Sequence, residues 1–327
     1  MQSQHYPNAK WAVAQRLAAA TEADLDRAFD AGELVRTHVL RPTWHFVAPE
    51  DLRWLVALTG SRIRQASAFQ YRAAEIDDRN LAQSRAVVER ALQGGGALTR
   101  AELGTRLAEA GIVASGARLA YLVGDAELDG VLCSGPRRGR NQTYALVEER
   151  LPPAPQRTRD EALAELGKRY VEGHGPAQAA DLSWWSGLTM ADARVALESA
   201  TPPLVRESVD GRTFWSSPDA PPPPTGSPMV HLLPNYDELL VAFRDRTDGF
   251  DPRLPAALRV PQVILGHVVV RDGRVVGRYR RHDVGGATAL DVELAVGLDD
   301  AELLVLRLAM ERLAAFLGRP VEVTGLD

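Results

Sequence analysis

The chain has 327 residues, 45% apolar and 25% charged, with one cysteine and a formal net charge of −5, a length that serves two or more domains and an apolar content that excludes intrinsic disorder. No run approaches the roughly 18 apolar residues of a membrane helix, and the lone Cys133 excludes an internal disulfide or a multi-thiolate metal site. Residues 1–150 hold 19 Lys and Arg against 18 Asp and Glu, whereas 151–327 hold 19 against 25, so the first half is the better candidate for a polyanion.

From the N-terminus, Gln2 to Lys10 is polar and shows no basic-then-apolar leader, which points to the cytoplasm and to no membrane partner. Helices are expected at about Ala9 to Ala19 and Glu22 to Ala31, strands around Leu34 to Leu40 and Thr43 to Val47, and a helix after Pro49. This reads as a degenerate module over 1–75 that lacks its leading helix. A clearer copy of the same unit covers 76–150. Its first helix runs from near Leu81 to Leu92 and stops at Gly94-Gly95-Gly96; Thr99 opens a capping box with Glu102; a third helix from about Ser115 carries Leu119, Leu122 and Val123 on one face. Strands on either side of Pro136-Arg137-Arg138-Gly139-Arg140 complete three helices and a basic-tipped hairpin, the description of a winged helix.

After Leu151-Pro152-Pro153-Ala154-Pro155 a further copy spans 156–219. Its helices end near Gly173, span Pro176 to Trp185, and start at Thr189 with Ala191, Val195 and Leu197 inward. Its hairpin turns at Asp210-Gly211. The run Pro221 to Pro224 reads as a stiff linker. Beyond it, 226–327 reads as a separate domain: strands at Val230 to Leu233, Val263 to Val270 and Val275 to Tyr279, then a closing helix from Asp299 to Leu317. The fold class expected is mainly α with β-hairpin wings: tandem winged-helix modules plus a C-terminal α+β or small β-barrel domain.

Several residues then invite a chemical reading. Arg137, Arg138 and Arg140 sit at a glycine-flanked hairpin tip, where guanidinium groups suit phosphate, although a GC-rich coding bias would supply arginine equally well. Asp237, Glu238 and Asp245 beside Arg244 and Arg246 read as an ion-pair network bracing the last domain rather than a catalytic dyad. Trp184 and Trp185 read as core or module interface, Cys133 as a small buried hydrophobe, and Asp77, Asp78, Asp299 and Asp300 as helix-start charges.

Taken together, four stretches resemble the AlkZ/YcaQ-type helix-turn-helix DNA glycosylases, which excise N7-alkylated purines and unhook interstrand crosslinks. They are Gln2-Ser3-Gln4 with Ala9-Lys10-Trp11-Ala12; Val35-Arg36-Thr37 with Arg41-Pro42-Thr43-Trp44-His45-Phe46-Val47; Gly135 to Arg140; and Leu232-Leu233-Pro234-Asn235-Tyr236-Asp237-Glu238 ending in Arg244-Asp245-Arg246. The resemblance implies tandem winged helices, no cofactor, and catalysis by a Gln-x-Gln motif falling on Gln2 and Gln4. It implies double-stranded DNA, alkylated or crosslinked, as partner of a monomer. Lys10 and Arg41 join the three hairpin arginines as candidate DNA contacts, and Thr43, His45 and Asp237 form a supporting shell. Two features depart from the family pattern. The motif follows Met1 directly, with no helix before it, and Pro42 stands where the family has glycine, which removes a backbone donor.

Glutamine takes no proton at neutral pH, so the motif suits a substrate that needs no general acid. An N7-alkylated guanine is cationic and departs neutral, leaving only water to be placed against an oxocarbenium-like sugar, which two side-chain carbonyl oxygens can do. Two other readings stay open: a non-catalytic winged-helix DNA-binding protein, such as a regulator or a lesion-sequestering resistance protein, and an interaction scaffold that no longer touches DNA.

Overall fold

The computed structural model describes residues 1–222, 226–259 and 266–325. The elements begin with α1 (Tyr6–Ala14), α2 (Glu22–Ala31), the hairpin β1 (Val35–His38) and β2 (Trp44–Val47), and the 18-residue α3 (Pro49–Ala66), followed by α4 (Ala68–Ala73). Helix α1 starts earlier and stops earlier than its pattern suggests. Pro7 stands in its first turn, where its missing N–H is no loss, and at the other end the Arg16 guanidinium donates to the Ala12 carbonyl at 2.9 Å, satisfying an acceptor that another turn would have used.

Next come α5 (Asp78–Leu92), β3 (Leu98–Thr99), α6 (Arg100–Glu109), α7 (Gly116–Leu128), β4 (Leu132–Ser134), β5 (Thr143–Leu146) and the short α8 (Val147–Arg150). Asp77 caps α5, and the Thr99–Glu102 box caps α6 as expected. The three strands form an antiparallel sheet in the order β3-β5-β4. The same order of parts recurs in α9 (Arg159–His174), α10 (Ala179–Ser186), α11 (Met190–Glu198) and the hairpin β6 (Val205–Val209) and β7 (Arg212–Ser216). Helix α10 begins at Ala179 rather than Pro176 because Ala177 exchanges both backbone hydrogen bonds with Trp215, at 3.0 and 2.8 Å. That bridge stands where β3 stands in the preceding set. Asp210 and Gly211 both adopt positive φ, as a two-residue hairpin turn requires.

The last stretch holds β8 (Val230–Leu233), α12 (Glu238–Val241), β9 (His267–Arg271), β10 (Arg274–Val284), β11 (Ala287–Leu294), α13 (Asp300–Leu317) and β12 (Val321–Thr324). Five strands line up as β12-β11-β10-β9-β8, antiparallel except for the β11–β12 pair that α13 connects. Among the described residues this strand order is open, with β8 and β12 at its two edges, beside α13. Of the expected strand over 263–270, residues 263–265 lie outside the described residues, as do Pro223 and Pro224 of the proline run.

Two compact units divide the chain. One comprises 1–25 with 219–327, the other 26–218. The division cuts through the segment expected as a first module, because α1 belongs to the core of the five-stranded sheet. There Trp11 is 1% exposed, packs on Phe316 at 5.1 Å and donates its Nε1–H to the Leu232 carbonyl at 2.7 Å, among Val268, Val269, Val276, Leu290, Leu306 and Leu313. In the other unit one core gathers Val88, Leu92, Leu103, Leu107, Leu122 and Leu132. Helices α9 and α11 pack so closely that a Cβ on Gly167 would meet the Ala196 carbonyl oxygen. The buried face of α11 is Ala193, Ala196 and Leu197, with Ala191 and Val195 exposed, a correction of the expected face. Trp184 is likewise exposed, while Trp185 packs on Tyr170 at 5.2 Å. Among the described residues no helix is long and apolar enough to cross a membrane.

Candidate active site and DNA-facing residues

The Gln-x-Gln segment precedes α1 and is held from the backbone. Gln2 is buried, and its N–H donates to Oε1 of Glu238 at 2.9 Å, a carboxylate itself only 6% exposed. Gln4, two residues on, is exposed. The next residues continue the attachment. Asn8 donates to Oδ1 of Asn235 at 2.6 Å and accepts from the Arg281 guanidinium at 3.1 Å, and the Asn235 N–H donates to Nδ1 of His267 at 3.2 Å. His267 stacks on Tyr279 at 4.9 Å. Burial, then the charge of Arg281 and then that of His5, pushes its pKa down to about 4, so at neutral pH Nδ1 carries a lone pair and accepts as the geometry requires.

Asp237 takes a partner from far along the chain, Arg16. Its fully buried carboxylate takes a two-pronged pair from Arg16, at 2.9 and 2.8 Å, and also caps α12 through the Leu239 N–H. Arg246 donates to the Leu240 carbonyl, and Asp245 accepts from Thr247. Lys10, expected at the DNA, is 4% exposed. Its ammonium pairs with Glu22 at 2.9 Å and lies 5.0 Å from the Tyr6 ring centre, so it is a buried strut of α1.

In the other unit His45 is completely buried on β2 opposite Thr37, and its Nδ1–H donates to the Thr43 carbonyl at 3.0 Å. Thr43 thereby fixes the imidazole tautomer, which suits a supporting role. Arg41 is half-buried, with its guanidinium 5.7 Å from the centre of the exposed Trp184 ring. At the hairpin tip the three arginines part company. Arg137 gives its backbone N–H and its guanidinium to Asp30 at 2.8, 3.0 and 2.7 Å, and reaches Asp26 at 3.0 Å. Burial pushes the Asp30 carboxyl up, but the Arg137 hydrogen bonds and the charges of Arg137 and Arg150 outweigh it, and its pKa falls below the usual value. Arg138 pairs with Glu102, whose carboxyl is held down to about 2 by that bond and by Thr99. Arg138 and Asn141 exchange backbone hydrogen bonds around Gly139-Arg140, so exposed Arg140 occupies the turn itself.

The DNA glycosylase AlkZ-like family matches residues 1–316. The chain belongs to the AlkZ-like DNA glycosylases. A curated relative, the "Interstrand DNA cross-link repair glycosylase" of Streptomyces sahachiroi, is 28% identical over 360 residues, covering 100% of this chain and 89% of its own. The solved structure of Streptomyces sahachiroi DNA glycosylase AlkZ shares the fold, with a TM-score of 0.72 and 22% identity over 99% of this chain and 91% of that one. In this AlkZ-like chain the partners that sequence reasoning missed are Glu238 for Gln2, Arg16 for Asp237, and Asn235, His267 and Arg281 behind Asn8. Proximity of Asn235, Asp237 and Glu238 in one stretch marked the region, but nothing local named what each would hold.

Proposed function

We propose that this DNA glycosylase hydrolyses the N-glycosidic bond of cationic N7-alkylated purines in duplex DNA, acting as a monomer, and that interstrand crosslinks joined through such purines are among its substrates. The observation that carries the reading is a buried Gln2 whose backbone N–H is held by Glu238, with a solvent-exposed Gln4 two residues on. In the reaction the C1′–N9 bond breaks with its electron pair passing to the already cationic base. Water adds to C1′ and loses its proton to solvent. The side-chain oxygen of Gln4 accepts from that water, and the Gln2 amide supplies a second dipole facing the developing sugar cation. The name of the Streptomyces relative lends support to the crosslink part of the proposal.

For binding, we assign residues 76–150 and 156–219 to two winged helices, each with a short pairing segment ahead of its second helix and a hairpin behind its third, and the stretch after α1 up to residue 75 to a degenerate third. Arg140 and Arg41 are the proposed phosphate contacts, Arg137 and Arg138 the side chains that hold the tip in shape, and Thr43 and His45 a supporting pair.

Base release from duplex DNA carrying N7-methylguanine tests the catalytic assignment. Gln4→Ala is expected to slow release by at least about tenfold and up to about 10²- to 10³-fold, the full scale of a lost positioned dipole of about 2.7–4 kcal/mol, while duplex affinity changes by less than about twofold. Gln4→Glu is expected to retain activity. Release from Gln4→Ala at the parent rate would remove the glutamine from the chemistry. No release by the parent would favour the non-catalytic DNA-binding reading.

A further inference from the structure

In the unit of residues 26–218, a pocket of about 120 Å³ lies between β1–β2, α4, α7 and β5. Its walls carry five aromatic rings, from His38, Trp44, Tyr71, Tyr121 and Tyr144, and exposed Arg100 stands among its lining residues at the first position of α6. Four of the rings meet in pairs, His38 with Trp44 at 4.7 Å and Tyr71 with Tyr121 at 5.6 Å. A cavity of about 150 Å³ accepts one benzene, so this volume suits one planar six-membered ring.

Its polar side is also defined. Nδ1 of His38 lies 2.6 Å from Oε2 of Glu127, a carboxylate only 1% exposed, which fixes the orientation of an imidazole that lines the pocket. Aromatic faces for a ring, an oriented imidazole for its edge and a guanidinium for an anion match the parts of a nucleotide. The geometry points to a binding site for one unstacked nucleotide with a pyrimidine-sized base, stacked against these rings with its phosphate on Arg100. This assignment stands apart from the Gln-x-Gln reading, since it concerns undamaged nucleotides and involves no bond cleavage. The nucleotide comes either from a DNA strand or free from solution.

Gly124 supplies the test. It lies inside α7 with helical backbone, and a Cβ built there would make only ordinary contact, 3.9 Å, with the His38 ring. Gly124→Leu therefore fills the pocket. Fluorescence anisotropy would compare a duplex carrying one bulged thymidine with its fully paired counterpart, using undamaged DNA, and thymidine 5′-monophosphate would be titrated alone by calorimetry. The parent is expected to prefer the bulged duplex about tenfold, with Gly124→Leu abolishing the preference at unchanged affinity for the paired duplex. Monophosphate binding by the parent that Gly124→Leu removes, without any bulge preference, identifies free nucleotide as the source and supports the site. A parent with neither bulge preference nor monophosphate binding overturns the proposal, as does folded Gly124→Leu that keeps whichever the parent shows. Should Gly124→Leu not fold, Arg100→Ala on the exposed rim decides: a loss of threefold or more in the parent's bulge preference or monophosphate affinity supports the site, and a smaller change overturns it.

Discussion

The Gln-x-Gln segment is held through its backbone and the Arg137–Arg140 tip through its side chains. At the first, Glu238 takes the Gln2 N–H and α1 is pinned behind it, so the side chain of Gln4 stays exposed. At the second, the guanidinium groups of Arg137 and Arg138 are committed to Asp26, Asp30 and Glu102, whereas Arg140 is exposed in the turn itself. In each motif identical residues divide between holding the segment and facing outward. What each motif presents to solvent is set by this division rather than by the residue type.

The attachment of the Gln-x-Gln segment depends most on Trp11. Trp11→Ala removes a buried indole and its bond to Leu232 beneath the Gln-x-Gln segment, and is expected to cost about 3–5 kcal/mol in urea unfolding and to abolish base release with it. His267 offers a pH handle on the same attachment. Its folded pKa of about 4 lies below the ordinary 6.5, so as pH falls through 6.5 the unfolded chain takes up the proton first. The stability it contributes is complete above that value and is lost between about 6.5 and 4, up to about 3 kcal/mol. Denaturant midpoints at pH 7.5 and 4.5 should show this loss in the parent and a smaller one in His267→Gln. If both lose equally, His267 is not the group responsible.

At the hairpin tip the effects are smaller and separate two residues three apart. Arg137→Ala is expected to destabilise by about 1.5–3 kcal/mol, the range for charged hydrogen bonds, and to leave the salt dependence of duplex binding unchanged. Arg140→Ala should alter stability by less than about 0.5 kcal/mol and flatten the salt slope by about one unit, the effect of one phosphate contact. A reversed pattern would place Arg137, not Arg140, at the DNA.

Signals that act within a few residues were legible in the chain itself: the Thr99–Glu102 cap, the stop after Leu92, the turn at Asp210-Gly211. So was the family, through four stretches whose order mattered more than any one of them. What escaped depends on partners far along the chain. Lys10 looked like a surface cation until Glu22 and Tyr6 enclosed it, and Arg137 meets acids more than 100 residues away. Strand β12 is four residues long, and only the parallel edge of β11 makes it a strand. The face of α11 was misjudged because alanine and valine fill both sides of that helix, so its apolar stripe is not unique in sequence.

The single thiol of the protein has a practical consequence. Cys133 is wholly buried in β4, and burial pushes its pKa up to about 12, so at neutral pH it offers neither access nor thiolate to an alkylating reagent. The native chain is thus a silent background for cysteine chemistry. An Arg140→Cys variant would carry the one reactive thiol on the molecule, ready for a disulfide tether to a modified oligonucleotide or for a fluorophore that reports whether the hairpin approaches DNA.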